Sequence, residues 1–318
     1  MTALLTALAC PNCILAMDIS ESLLHCPGCG ANFPIHRGIP RFVPQENYAD
    51  SFGLQWNRFA KTQMDSALGT SRSRERFLLE TLWGEEHLSG KLVLDAGCGS
   101  GRFAEIALSL GAKLIAIDYS SAVDAASRNL KSDNLLISQG DLSQLPIPTE
   151  SLDFVYCIGV LQHTKEPRKI LVELLRCLKP GGEITLTFYE NSSWHVKFYA
   201  KYLIRPLTKR IPNRALLAII ERTSVVWFPL TNFLFRLPYP FSRILRFVIP
   251  IANYVEFKYH SKEAARAEAI LDTFDMLSPS FDKPIKKSEI LEWVSSSKIG
   301  MSQLEVKCSP GTMRFKKI

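Results

Sequence analysis

With 318 residues, 47% hydrophobic and 22% charged, the chain has the composition of an ordinary soluble globular protein and exceeds one average domain. It contains no run of 18 uncharged apolar residues, which argues against a spanning helix, and the opening MTALLTALACPNC lacks the basic start of a secretion signal. The net charge of +7 is concentrated: residues 191–260 hold eleven Lys/Arg against Glu221 and Glu256, a net of +9, which leaves about −2 for everything else.

The first 44 residues are turn-rich and carry CPNC and CPGC, two Cys-x2-Cys pairs separated by twelve residues. That spacing suits two knuckles offering the thiolates of Cys10, Cys13, Cys26 and Cys29 to a tetrahedral, structural zinc. A closed four-thiolate shell leaves no position for water, so no catalysis is expected there; His25 and His36 read as bystanders. The other cysteines, Cys98, Cys157, Cys177 and Cys308, are scattered as in a reducing, cytoplasmic compartment.

Residues 45–90 read as helical, with Phe52, Trp56 and Phe59 at i, i+4 and i+7, interrupted by GTSRSRER as a loop. From Lys91 the rhythm changes. Strands are predicted at 91–95, 113–118, 135–138, 153–159 and 183–189, and helices near 102–110, 121–131 and 166–178, a pattern of βαβ units. KPGG (179–182) reads as the tight turn into the fifth strand. The rhythm breaks after Tyr189 and resumes with a helix near 287–298, N-capped by Ser288, and a closing hairpin around a Ser-Pro-Gly-Thr turn. The expected organisation is 1–44 zinc ribbon, 45–90 helical linker and cofactor cover, 91–189 Rossmann-like core, 190–284 basic and aromatic helical insertion, and 285–318 closing helix and hairpin of the core.

The loop VLDAGCGSG (Val93 to Gly101) follows the first core strand. A P-loop would need Lys where Arg102 stands, and a dinucleotide fingerprint would need its third glycine at Arg102. Asp95 at the strand end would also repel a pyrophosphate. A cationic ligand without phosphate reverses the argument: S-adenosylmethionine carries a sulfonium and an ammonium, and glycines would let it lie against the chain. Asp118 ends the next strand, placed to accept from ribose hydroxyls. Asp141 follows the third, placed for an adenine amino group, with the Leu142 amide at a ring nitrogen.

VLDAGCGSG, AIDYS, GDLSQLPIPTESLDFVYCIGVLQH and LRCLKPGG together resemble the class I S-adenosylmethionine-dependent methyltransferases, closest to the type 11 methyltransferase domain, over about 91–189. The resemblance implies an α/β, Rossmann-like mixed sheet of seven strands, one reversed, with helices on both faces. It also implies cofactor contacts at Asp95, Gly97, Cys98, Gly99, Gly101, Asp118, Tyr119, Asp141, Leu142 and the backbone near Ile158. CPGCGANFPIHRGIPRFVP resembles the zinc ribbon of the tRNA-methyltransferase activator family. Ribosomal guanine methyltransferases with an amino-terminal zinc module typically close the second knuckle with histidine, where this chain has Cys29.

Methyl transfer from a sulfonium needs positioning and desolvation, and a base only where the acceptor must lose a proton. His163, after the fourth strand, is the candidate base; the bland alternative is a pocket-lining histidine. Tyr189, Glu190 and Trp56 are candidate substrate contacts, with core packing the alternative for Trp56; Asp272, Asp275 and Tyr259 are further candidates for the acceptor pocket. The longest uncharged piece of the insertion, Thr223 to Phe235, is thirteen residues, too short to span a bilayer. The insertion therefore reads as an acceptor lid, as a peripheral contact with the inner membrane face, or as both. The leading expectation is a cytoplasmic methyltransferase (EC 2.1.1) of a small or lipid-linked acceptor. The alternatives are an RNA base methyltransferase clamping RNA with the ribbon and the basic insertion, and a non-catalytic interaction protein retaining the fold.

Overall fold

The computed structural model describes residues 3–44, 47–191, 199–307 and 311–318. Its first strands, β1 (Asp18–Ile19), β2 (Leu23–His25), β3 (Asn32–His36) and β4 (Ile39–Pro40), form a small antiparallel sheet in chain order. Four helices follow: α1 (Asp50–Arg58), the single turn α2 (Asp65–Leu68), α3 (Arg72–Thr81) and the single turn α4 (Glu85–Leu88). GTSRSRER is not a loop throughout, because α3 begins inside it. The carboxylate of Asp65 accepts from the amides of Ser73 (3.0 Å) and Arg74 (2.8 Å), satisfying first-turn donors that propensity alone leaves unpaired.

The core continues β5 (Leu92–Ala96), α5 (Arg102–Ser109), β6 (Lys113–Asp118), α6 (Ala122–Asn129), β7 (Leu135–Gln139), β8 (Leu152–Ile158), α7 (Pro167–Cys177) and β9 (Leu178–Thr187). The insertion supplies α8 (Ala200–Thr208), α9 (Asn213–Leu234), α10 (Phe241–Val248) and α11 (Lys262–Leu277). The chain closes with α12 (Lys287–Ser296), β10 (Met301–Leu304) and β11 (Thr312–Lys317). The order β10-β11-β9-β8-β5-β6-β7 makes a seven-stranded mixed sheet in which β5 to β9 run parallel and β11 runs against both its neighbours.

Alternate strand residues feed opposite faces, as the two-residue period requires. Leu94, Ile115, Leu136 and Val155 join one apolar cluster with Leu171 of α7 and Ile290 of α12. Val93, Leu114, Leu135 and Tyr156 join another with Phe77 of α3, Ala104 of α5 and Val123 of α6. Both faces are covered, which is why these strands read as near-continuous apolar runs.

KPGG lies inside β9 as an interruption of its pairing with β8, not ahead of the strand. Leu178 already pairs with Leu152, and regular pairing resumes at Glu183 opposite Phe154. Ser288 is not the cap of α12, which starts one residue earlier. There the Glu289 carboxylate accepts from the Lys286 amide at 2.8 Å, the reciprocal half of a capping box. Of the predicted features, Lys197, Cys308 and the Ser309-Pro310 half of the closing turn lie outside the described residues.

The ribbon packs on the sheet. Leu5, Leu8 and Leu24 belong to the first cluster, and Phe42 donates to the Gln139 carbonyl (2.8 Å) beside a parallel bridge from Arg41 to Gln139. Arg41 also reaches the Gln139 side chain (2.8 Å) and Asp124 (2.6 Å). The ribbon thereby covers the outer edge of β7, which would otherwise present unpaired backbone groups. The insertion folds on α1: Phe59 packs with Leu216, Leu217 and Ile220 of α9 and with Ile270, Leu271 and Phe274 of α11.

Candidate functional site

A cavity of about 730 Å3 lies beyond the carboxyl ends of the parallel strands, next to the β8–β5 junction where the strand order reverses. One wall comes from the loops after β5 to β8: Gly97, Cys98, Gly99, Ser100, Asp118, Tyr119, Asp141, Leu142, Ile158, Gly159 and Val160. The other comes from Phe52, Gln55 and Trp56 of α1, Arg72 and Arg76 of α3, and Glu268, Asp272 and Asp275 of α11. His163 and Tyr189 line the space as well.

The glycine loop is left-handed at Gly97 (φ 89°), Gly99 (φ 53°) and Gly101 (φ 95°), where L side chains are strained. A Cβ on Gly97 would clash with Val160 Cγ2, and one on Gly99 would come within 3.1 Å of Trp56 Nε1. The loop is therefore glycine-bound by its conformation and by its own protein neighbours, a different reason from ligand clearance alone.

Asp118 holds this loop. Its Oδ2 accepts from the Gly99 amide at 2.9 Å, and its Oδ1 from the amide and hydroxyl of Ser120 at 2.8 and 2.7 Å. A carboxylate offers about four acceptor positions, so roughly one is left for a ligand. Burial raises its pKa, and these hydrogen bonds oppose the rise. Asp141 turns one oxygen to the Ser143 amide (2.7 Å). Tyr119 stacks on Tyr48, with ring centroids 4.7 Å apart, at the same end of the cavity.

Four sequence candidates stand off the wall: Asp95, Gly101, Glu190 and Tyr259, with Gly101 set against Leu130 and Ala126 instead. Asp95 is buried behind the loop, not among the cavity-lining residues, and its Oδ2 has no hydrogen-bond partner. Burial pushes this carboxyl up to about 8, a rise offset in part by the Tyr156 hydroxyl and reinforced by Asp118. Glu190 is also absent from the lining; its carboxylate lies 3.8 Å from Lys287, and its backbone bridges to Ile285. Consecutive residues of an extended segment point to opposite sides, so Tyr189 facing the cavity sends Glu190 away.

His163 closes the short turn after β8. Its Nδ1 lies 3.1 Å from the Phe281 carbonyl, which can only accept, so the neutral ring donates there and presents Nε2 as an acceptor. Phe52 and Tyr189 meet the imidazole edge-on, with centroids 5.2 and 5.5 Å away. Tyr189 is open to the cavity yet enclosed by protein. Burial, and then Asp275, Asp282 and Asp272, hold its phenol well above its ordinary range.

On the opposite wall the sequence candidates Trp56, Asp272 and Asp275 line the cavity, whereas Gln55, Arg72, Arg76 and Glu268 went unread. Glu268, Asp272 and Asp275 lie at i, i+4 and i+7 of α11, a periodicity that could have marked a shared face. Arg72 takes Glu268 in a two-pronged ion pair (2.8 and 3.0 Å). Gln63 donates to Asp272 (3.2 Å) and Gln55 to Asp275 (3.0 Å). Gln55 is buried, and its Oε1 is left without a partner. Arg102 bonds Ser73 (2.9 Å) and Gln63 (2.8 Å), and burial lowers its pKa to about 10, so it stays charged at neutral pH. Asp272 is pushed up to about 7, first by burial and then by Asp275 and Glu268. Tyr259 is not on the wall; the Arg72 guanidinium lies over its ring at 5.4 Å.

In the ribbon, the sulfurs of Cys10, Cys13, Cys26 and Cys29 all lie within 4.8 Å of one another, with 3.5 Å between Cys10 and Cys29 and 3.4 Å between Cys13 and Cys26. Metal–thiolate bonds of about 2.3 Å in a tetrahedron place sulfurs about 3.8 Å apart, so the donor set fits such an ion. The two knuckles have the same hydrogen bonds. Cys10 and Cys26 each donate to the carbonyl five residues on, Leu15 and Ala31, and each accepts from the amide four residues on, Ile14 and Gly30. Both of those fourth residues are left-handed, Ile14 at φ 62° and Gly30 at φ 72°. Without a metal the thiols share their protons unevenly: the Cys29 amide, with further hydrogen bonds, pulls Cys26 down to about 6, while burial pushes Cys10 up to about 12.

The methyltransferase domain family matches residues 94–186. A mitochondrial ubiquinone biosynthesis O-methyltransferase of Schizosaccharomyces pombe is 32% identical over 144 residues, 42% of this chain and 52% of that protein. A demethylmenaquinone methyltransferase of Renibacterium salmoninarum is 28% identical, covering 47% of this chain and 62% of that one. A tRNA U34 carboxymethyltransferase of Methylococcus capsulatus is 39% identical over a shorter stretch, 31% of this chain and 32% of that one. The chain spans about half the length of the first two of these relatives. The matched stretch contains most of β5, all of β6 to β8 and most of β9, together with the glycine loop, Asp118 and Asp141, and it is similar to a methyltransferase domain.

Proposed function

We propose that the chain is an S-adenosylmethionine-dependent methyltransferase of a small or lipid-linked acceptor, with peripheral contact at a membrane. One observation carries this reading: a single cavity joins a glycine loop and two strand-end acids, Asp118 and Asp141, to an imidazole, a phenol and a polar helix face. When bound, S-adenosylmethionine supplies a methyl group on a sulfonium, open to in-line displacement.

In this reading Asp118, with its remaining acceptor position, holds ribose hydroxyls. Asp141 and the Leu142 amide take the adenine edge, and Gly97, Cys98 and Gly99 lie along the methionine part. Asp95 stands behind the loop, where a bound cation would favour loss of its proton. The chain also supplies desolvation: α1 and α11 roof the cavity, with Trp56 over Gly99. His163 Nε2 takes the acceptor proton where one must leave. Gln55 Oε1, Asp272 and Asp275 are all acceptors, which suits a head group rich in hydrogen-bond donors. The four thiolates hold a structural zinc in a ribbon of the kind found in the tRNA-methyltransferase activator family, which fastens the edge of β7. The quinone-pathway relatives support a small or lipid-linked acceptor.

A second reading, methylation of an RNA base, is favoured by the tRNA-acting relative and by the basic insertion. Release of S-adenosylhomocysteine is to be followed with a membrane-lipid extract and, separately, with total RNA as acceptor. The first reading predicts sustained turnover with lipid extract. Turnover with RNA alone would replace it by the second, and absence of turnover with lipid extract, with RNA and with an aqueous metabolite extract tested alongside them would contradict both.

A further inference from the structure

We propose that α9 and α10 form a docking face for an anionic lipid bilayer. The proposal deepens the lipid-linked reading by naming the surface and its lipid charge.

Among the described residues, nineteen large apolar side chains are exposed, and thirteen of them fall between Tyr199 and Phe257. They are patterned, not scattered. On α9, Ile219, Val226, Leu230 and Phe233 are 49–68% exposed at i, i+7, i+11 and i+14, one stripe of the helix. A separate face of the same helix, with Leu216 and Ile220, is buried against α1 and α11, so the stripe is surplus to folding. In α10 no residue is buried; Phe241, Ile244 and Val248, at i, i+3 and i+7, are 53–63% exposed. Patches of this kind mark contact surfaces. Among the described residues, no helix is long and apolar enough to cross a membrane.

Charge selects the occupant. Residues 199–260 carry ten Lys/Arg and two acids; Glu221 pairs with Arg58 (3.0 Å) and Glu256 with Arg246 (2.8 Å), and Lys201 and Arg205 face Asp282 (3.1 and 3.7 Å), so seven of the ten bases stand outside these ion pairs. A second copy of this face would bring like charge against like. Single-stranded RNA would meet mostly aliphatic groups, which offer no plane for base stacking. An anionic bilayer takes both components, the aliphatic side chains in the interface and the basic ones at the head groups. The face also adjoins the cavity. The Arg246–Glu256 ion pair ties α10 to the segment whose next residue, Phe257, lines the cavity and is 41% exposed. An acceptor with a lipid tail would thus present its head to Asp272 and Asp275 while its tail stays in the bilayer.

The test is flotation of the full chain with vesicles of phosphatidylcholine alone and of phosphatidylcholine mixed with phosphatidylglycerol, with no methyl donor or acceptor present. Binding to the mixed vesicles only is expected. Val226→Asp with Phe233→Asp, and separately Ile244→Asp, should weaken it by about tenfold or more. Arg222→Gln and Arg243→Gln should each weaken it by about fivefold. Unchanged thermal unfolding and S-adenosylhomocysteine affinity would show that the variants are folded. No flotation with the mixed vesicles would overturn the proposal, as would flotation indifferent to the aspartates. So would a dimer that Ile244→Asp converts to monomer, or RNA retention that falls steeply with salt in the absence of vesicle binding. Because neither donor nor acceptor is used, failure here would leave the methyltransferase reading standing, and failure of that reading would leave this one testable.

Discussion

The two walls of the cavity are made in different ways. The glycine-loop wall is local: each residue sits at the carboxyl end of a parallel strand, where strand, turn and helix follow within a few positions. The α11 wall is assembled from segments some two hundred residues apart, as in Gln55 with Asp275 and Arg72 with Glu268. Local chemistry leaves a motif in the sequence, whereas a wall built by tertiary packing leaves only helical periodicity.

That difference accounts for what could be read in advance. The βαβ rhythm and the antiparallel closing hairpin were legible in alternating apolar runs and turn residues, whereas the reversal of one strand against the rest was implied only by the family resemblance. The paired knuckles were legible from their cysteine spacing. The start of α3 was not, since its first amides are satisfied by Asp65, outside the helix. Glu190 was misplaced because a one-residue step reverses the direction of a side chain. Asp95 was given the right neighbourhood but the wrong exposure: the motif does not say that the carboxyl lies behind the loop. Arg102, Gln55 and Tyr48 carried no signal as single residues.

The contrast can be broken from outside either wall. Cys26→Ser should remove the bound metal, counted by elemental analysis, and cost several kcal/mol of stability, because metal binding and folding of such a ribbon are one process. With the cover of β7 loosened, both walls should suffer. A stable variant with its metal lost and both walls intact would show that the ribbon is independent of the sheet.

The buried carboxyl behind the loop predicts a pH dependence. Folded, Asp95 keeps its proton to about pH 8; unfolded, it loses it near 3.8. Between those values the native state binds more protons, so this group's contribution falls as pH rises, by up to about 1.4 kcal/mol per pH unit. Urea unfolding of Asp95→Asn and of the parent chain from pH 5 to 8 should therefore diverge, with the variant losing less. Parallel slopes would mean that Asp95 ionises normally.

Asp118→Ala should weaken S-adenosylhomocysteine binding by about tenfold to a hundredfold, since it removes both a ligand acceptor and the partner of the Gly99 amide. Calorimetry would measure it, and unchanged affinity would contradict the assignment. Asp272→Asn should do the converse, leaving S-adenosylhomocysteine affinity within about twofold and slowing transfer to the acceptor by about tenfold. Equal losses in both measurements would mean that the two walls do not divide the work.

The central claim is that this cavity takes the adenosyl donor of methyl groups and no phosphate-bearing nucleotide. Isothermal titration of the purified chain with S-adenosylmethionine, S-adenosylhomocysteine, NAD and ATP tests it most directly. The account predicts saturable one-to-one binding of the first two and no heat of binding from the others. Binding of NAD or ATP with no response to S-adenosylmethionine would contradict it.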